Sequence, residues 1–184
     1  MYSVCLLFVR ALSAARNPCL TNTSHSTYPS STYTINMAPP KHTPRSILET
    51  FYAAERIYMS ALPSSRDFTT LAAVVSPTFR LEQTSALPYA GTYIGPRGFQ
   101  DWATRMADYF DVVDVRDPEV FERDGSNKVM VLANVLFRVR ATGEELLFPF
   151  AQAITVDLEL GVMTELRPFY WDVAAVNKAL GVGQ

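Results

Sequence analysis

The sequence predicts an α+β domain in which three N-terminal helices pack on a mostly antiparallel sheet. Three observations carry that prediction. Residues 44–62 and 95–110 repeat their apolar side chains at helical spacing. From Val112 onward the chain is almost continuous strand-like sequence, cut by short turns at Asp124-Gly125-Ser126-Asn127, at Ala141-Thr142-Gly143 and at Gly161. Strands joined by turns this short are antiparallel neighbours, and helices grouped ahead of such a meander cover one of its faces.

Taken in order, residues 44–62 form the first helix, with Ile47, Phe51, Tyr58 and Leu62 on one face and Glu55 among them. Thr43 is placed to cap it, Pro44 takes the first helical position, and Pro63 stops it. A short second helix covers 67–75 and ends before Pro77. Residues 79–84 alternate as a strand, 87–91 are a loop, and 92–94 a short extended piece. Gly95-Pro96 opens the third helix, whose one face carries Phe99, Trp102, Ala103, Met106 and Phe110. Four strands follow: 112–123 (interrupted at Asp117-Pro118), 128–140, 144–160 and 162–171. Asp172 caps a short terminal helix over 173–180.

The chain of 184 residues has the length of one domain. Its net charge is −2; residues 1–43 carry Arg10, Arg16 and Lys41 with no acid, +3, so the remainder carries −5. A mildly acidic domain with scattered arginines is a poor partner for a phosphate backbone or an anionic membrane, and neither is expected. Both cysteines, Cys5 and Cys19, and both histidines, His25 and His42, precede residue 44. The domain therefore excludes a Cys nucleophile, a Ser-His-Asp triad, a disulfide framework and a His- or Cys-based zinc site. Acid–base chemistry falls to Asp, Glu, Tyr or Lys. No glycine-rich phosphate loop and no metal-ligand cluster is present in the sequence, so no cofactor and no metal is implied.

Residues 1–43 read as a tail apart from the domain at 44–184. From Asn17 to Thr43 the tail is rich in Ser, Thr, Tyr, Asn and Pro and lacks a sustained period, which reads as disorder. Its first stretch, with Arg10, Arg16 and no acid, fits a mitochondrial presequence better than a secretory signal, and its apolar run is too short to span a membrane. A third reading puts the native start at Met37. The expected location is the cytoplasm, or mitochondria where residues 1–36 act as a presequence.

The order helix, helix, strand, short strand, helix, four strands resembles the NTF2-like cone. The run Ser85-Ala-Leu-Pro-Tyr-Ala-Gly-Thr-Tyr-Ile-Gly-Pro-Arg-Gly-Phe-Gln-Asp-Trp is similar to the strand–loop–helix segment of SnoaL-like proteins, with Ala90 where those carry a Gly. Glu165-Leu-Arg-Pro-Phe-Tyr-Trp-Asp is similar to their closing strand. The resemblance spans nearly all of 44–184. It implies helices and a curved sheet enclosing a ligand pocket. The fold hosts isomerases, cyclases, dehydratases, epoxide hydrolases and binding modules alike, so it does not settle activity.

Polar side chains on apolar faces are the candidates for a site. Glu55 sits on the core stripe of the first helix, where desolvation raises a carboxyl into the range of a general acid or base. Tyr58 offers a phenol to a ligand oxygen. Strand parity points Gln83 inward and Glu82 outward, unless a bulge before Leu87-Pro88 exchanges them. An amide there cannot take a proton, unlike the carboxylate base that steroid-isomerase-like relatives place nearby. Tyr89, in the family-like loop, is positioned to gate a pocket. Asn134, Arg138 and Gln152 interrupt apolar strands, Gln152 in phase with Phe150. Tyr170 and Asp172 lie on the closing strand, and Trp102, Met106 and Phe110 form apolar wall. Glu55, Tyr58, Asn134 and Gln152 are the expected catalytic set, the others ligand contacts.

Both faces of 129–137 and 146–156 are largely apolar, so the outer sheet face needs cover, and a homodimer supplies it economically. Three functions compete. The first is a cofactor-independent isomerase, cyclase or dehydratase of specialised biosynthesis, acting on a polyketide- or terpenoid-like substrate. The second is a non-catalytic module for an apolar small molecule, favoured by the missing His. The third is a protein-interaction or transport adaptor.

Overall fold

A computed structural model describes residues 41–182. The expectations for the tail, its presequence character and a start at Met37 fall on residues 1–40 and lie outside the described residues. The first helix, α1 (Pro44–Ser60), opens as its sequence dictates. The Thr43 hydroxyl accepts from the Ser46 backbone N–H, the Ser46 hydroxyl accepts from the Thr43 N–H, and Pro44 needs no donor partner. The helix ends at Ser60, two residues before the expected Leu62. Ala61 and Leu62 are extended because Leu62 precedes Pro63, and Leu62 is exposed rather than part of the stripe.

A 3-10 turn (Pro63–Ser65) leads to α2 (Thr69–Ala73), shorter than its pattern suggested, because β1 (Val75–Gln83) claims the residues that follow. Pro77 falls within β1 where the pairing register shifts between Val75 and Arg80, so its missing N–H interrupts no ladder bond that the strand needs. β2 (Gly91–Ile94) pairs antiparallel with β1. The chain then turns sharply into α3 (Gly95–Tyr109). Gly95 has φ +66°, and a Cβ there would stand 2.9 Å from the Pro77 carbonyl oxygen, so only glycine fits.

The meander is β3 (Phe110–Glu122), β4 (Lys128–Val139), β5 (Glu145–Asp157) and β6 (Val162–Tyr170), closed by α4 (Val173–Ala179) with the Asp172 carboxylate accepting from the Ala175 N–H at 2.8 Å. Asp117-Pro118 does not break β3. It forms a bulge between Arg116 and Glu119, with Asp117 at φ +50°.

The six strands run β2-β1-β6-β5-β4-β3, all antiparallel except the β1–β6 pair. α1 packs on β3 and α3 on β1, and the two helices touch each other over one sheet face. Their buried residues and the inward residues of every strand form one apolar core. The opposite face carries an exposed apolar patch among charged side chains that include Arg116, Arg138, Glu82 and Arg167. Cross-strand register places Phe121 beside Met130, Leu132 in line with Ala151 and Phe169, and Leu136 beside Leu147. Leu132 and Phe169 are each 48% exposed, and Trp171, just past β6, is 80% exposed. Among the described residues no helix is long and apolar enough to cross a membrane.

Candidate functional site

Beneath α1 and α3 an interior cavity collects polar side chains from five elements. α1 contributes Glu55, β1 Gln83, α3 Trp102, β5 Gln152 and β6 Tyr170, while Met106, Phe137 and Phe150 are among its apolar walls. Strand parity explains the selection. Phe79, Leu81 and Gln83 face inward, whereas Glu82 faces out and accepts from Arg80 and Arg167, which hold its carboxyl below the usual range. The bulge that would have exchanged Gln83 and Glu82 does not occur before Leu87.

The cavity measures about 20 Å³, room for one water molecule. Substrate sites typically span ~300–1,000 Å³, so no substrate-sized space is open in this conformation. Aromatic rings occupy the interior instead. Phe110 stacks on Phe137 at 4.5 Å, and the Tyr170 ring lies 5.3 Å from Phe150 and 5.9 Å from Phe137.

Glu55 is the carboxyl that faces this space. It is 5% exposed, and no protein group among the described residues hydrogen-bonds its carboxyl. Burial pushes its pKa from 4.5 up to about 8, with Arg56 opposing the rise and Asp114 adding to it. At neutral pH the group is therefore a carboxylic acid, able to donate a proton as well as accept a hydrogen bond.

Tyr52, absent from the sequence-based candidates, stands one helical turn before Glu55. Its hydroxyl donates to the Gln152 side-chain oxygen. Burial, and then the Glu55 charge, raise its titration, so it stays a phenol. A signal for it exists in the sequence. Leu48, Tyr52, Glu55 and Met59 are all buried at spacings of four, three and four, a second row beside the Ile47–Phe51–Tyr58 stripe. Tyr170 is likewise held neutral by burial, with Gln83 and Tyr89 close enough to act on its hydroxyl. Neither the Gln83 amide nor the Tyr89 hydroxyl attains hydrogen-bond geometry, however, and the Trp102 indole N–H is also buried without a partner. Orphan polar atoms in a core are costly; those of Gln83 and Trp102 line this void, and the Tyr89 hydroxyl lies behind Tyr170.

Other expected residues lie elsewhere. Asn134 is exposed on the outer face, opposite Pro149 and Arg116, because Val135 and Phe137 hold the inward parity of β4. Arg138 shares that outer parity and pairs with Asp111 at 2.8 Å. Tyr58 meets Thr104 at 3.1 Å and joins α1 to α3 without reaching the cavity. Tyr89 gates no opening: it is fully buried behind Tyr170, at 6.4 Å between rings. Phe110 is core behind Phe137, and Asp172 is the cap of α4. The seven brought together are Glu55, Gln83, Trp102, Met106, Phe150, Gln152 and Tyr170.

A wider groove of about 560 Å³ opens between the β3–β4 turn and strands β5, β6 and β1. Arg80 and Arg167 on its wall are paired with Glu82, and it lies apart from the buried carboxyl. Among the described residues no group of three or more His, Cys, Asp or Glu is placed to hold a metal ion.

No protein-family model and no curated protein matches the chain. Solved structures do. TerC, crystallised with polyporic acid, superposes with a TM-score of 0.60 at 16% identity, over 74% of this chain and 97% of that one. A protein with a ketosteroid isomerase-like fold from Catenulispora acidiphila DSM 44928, in complex with trimethylamine, gives 0.58 at 14% identity, over 76% and 95%. A provisionally named SnoaL-like polyketide cyclase from Shewanella denitrificans OS-217 gives 0.56 at 15% identity, over 74% and 96%. The chain thus has the NTF2-like, SnoaL-like fold that its element order announced.

Proposed function

We propose that the chain is a cofactor-independent isomerase, cyclase or dehydratase acting on a small, largely apolar carbonyl compound of the polyketide or terpenoid kind. One observation carries this reading: a buried carboxyl, Glu55, with its pKa pushed up to about 8, facing a void ringed by neutral hydrogen-bonding groups. A carboxyl poised near neutrality exchanges protons with a substrate in either direction, and general acid–base catalysis of that kind contributes about 10²–10⁴-fold. Gln152, Tyr170 and the Trp102 indole stand where they would stabilise an oxygen gaining charge. Opening of the aromatic wall around Phe137, Phe150 and Tyr170 would admit the substrate.

The test is deuterium exchange at the carbon next to the carbonyl in a panel of enolisable cyclic ketones, followed by NMR in deuterated buffer with the full chain. Exchange above the buffer rate, abolished in Glu55→Gln, is the expected result. Equal rates for the two proteins, with ketone still bound, would leave a non-catalytic binding module. That second reading is favoured by the two amides, Gln83 and Gln152, which hold a ligand oxygen without moving protons.

The same reading includes a homodimer through the outer sheet face, supported by the exposed Leu132, Phe169 and Trp171. It also includes a cytoplasmic location, or a mitochondrial one where residues 1–36 direct import.

A further inference from the structure

Gln152 is the one amide at the cavity whose orientation is set from behind. Its inward cross-strand neighbours are Val131 on β4 and Pro168 on β6. Neither offers a polar side chain, and Pro168 lacks even a backbone N–H. The group that reaches it is the Tyr52 hydroxyl, which donates to Oε1. A phenol carries a single proton, and once that proton is committed to Oε1 the amide presents its other half, Nε2, to the void. Gln83, by contrast, has neither of its polar atoms paired and is free to turn either way.

We infer that Tyr52 is a positioning residue: by holding Gln152 Oε1 it turns Nε2 to the void and makes the cavity select ligands that bring a hydrogen-bond acceptor, a carbonyl oxygen, over ligands of the same shape that bring no polar group. Trp102 reinforces the choice, because an indole N–H only donates and this one is buried without a partner. Two fixed donors on one small void are left unmatched by a ligand that brings no acceptor, whereas the Glu55 carboxyl on the same void can meet a donor or a cation. The cavity lining carries no Lys, Arg or His that would reverse the preference toward an anion. This inference rests on the cavity being a ligand site, as proposed above.

The experiment compares cyclohexanone with methylenecyclohexane, two rings of one shape of which only the first carries an oxygen. Binding to the full chain is followed by the Gln152 side-chain amide signals in ¹H–¹⁵N spectra. The wild type should favour the ketone by about tenfold, one hydrogen bond's worth of discrimination, and the Gln152 amide should shift as the ketone binds. In Tyr52→Phe, where the amide can turn over, the preference should fall to about threefold, the part that the Trp102 indole retains. Gln152→Leu should give the same loss from the other end. A Tyr52 that merely packs would weaken both probes together and leave their ratio alone. An unchanged ratio in Tyr52→Phe, with both probes still bound, overturns the inference and leaves the cavity reading standing. Failure of the wild type to bind either probe overturns both.

Discussion

Arg140 and Met59 join the ends of two helices. The Arg140 guanidinium, on the turn after β4, donates from Nη2 to the Met59 carbonyl at 2.6 Å and from Nε to the Ala107 carbonyl at 2.7 Å. Neither α1 nor α3 has a basic residue in its own last turn, so distant arginines supply the positive charge that both C-termini favour: Arg140 at both, and Arg66 as a second donor to the Ala107 carbonyl at 2.7 Å. Arg140→Ala should destabilise the fold by about 2 kcal/mol and lower Tm by about 4–8 °C. Arg140→Lys should recover only part, since an ammonium cannot reproduce the planar fork. Thermal denaturation of the three proteins checks this.

The buried Glu55 carboxyl ties stability to pH. Its folded pKa of about 8 lies above the ordinary 4.5, so the folded chain holds this proton more tightly than the unfolded chain. The contribution is fully present below about 4.5 and is lost as pH rises through about 8. The slope cannot exceed ~1.4 kcal/mol per pH unit for one proton. Urea denaturation of the wild type and Glu55→Gln between pH 5 and pH 9 should show the wild type weakening relative to the variant as pH rises. Parallel curves would put the carboxyl in contact with solvent.

Gly95→Ala should cost about 1–3 kcal/mol. The φ of +66° disfavours any side chain, and the added methyl would press on the Pro77 carbonyl at 2.9 Å, a backbone atom with little room to retreat. Gly125→Ala makes a useful comparison. Its φ is +70° but nothing lies within 4 Å of the added carbon, so it should cost about 1 kcal/mol. The difference in Tm between the two variants isolates the close approach.

For the outer face, light scattering should find the full chain as a dimer at micromolar concentration. Leu132→Glu, at the centre of the exposed apolar rows, should give a monomer with an unchanged far-ultraviolet spectrum. A charge buried in that interface lacks a partner. A wild-type monomer would leave the face without its second copy.

The order of elements was legible because each boundary carries local chemistry: Thr43-Pro44, Gly95-Pro96, and the turns at Gly125, Gly143 and Gly161. Local chemistry also found much of the cavity, since Gln83 and Gln152 each stand in phase with apolar neighbours. Parity failed for Asn134 because β4 is apolar on both sides, so Leu136 was as good a guide to the interior as Val135. Pro77 and Asp117-Pro118 carry the local signals of interruptions, whereas register shifts carry the strands past them. Tyr52 was hidden for another reason. Its partner lies 100 residues away, and no local pattern encodes which strand a helix row will meet.

The parallel pairing of β1 with β6 has a consequence for how the chain is made. β1 and β2 form one pair and β3, β4 and β5 a second group; β6 is the strand that joins them. Arg80 meets Glu165, so a loop of about 85 residues must close before the sheet is whole, which is slow by the topology of folding. On the ribosome the two half-sheets emerge first and wait, each with an unpaired edge. Nearly the whole sequence must leave the exit tunnel before Val162–Tyr170 can enter between them. A message truncated before that strand would yield two sticky fragments on one thread rather than a smaller version of the domain.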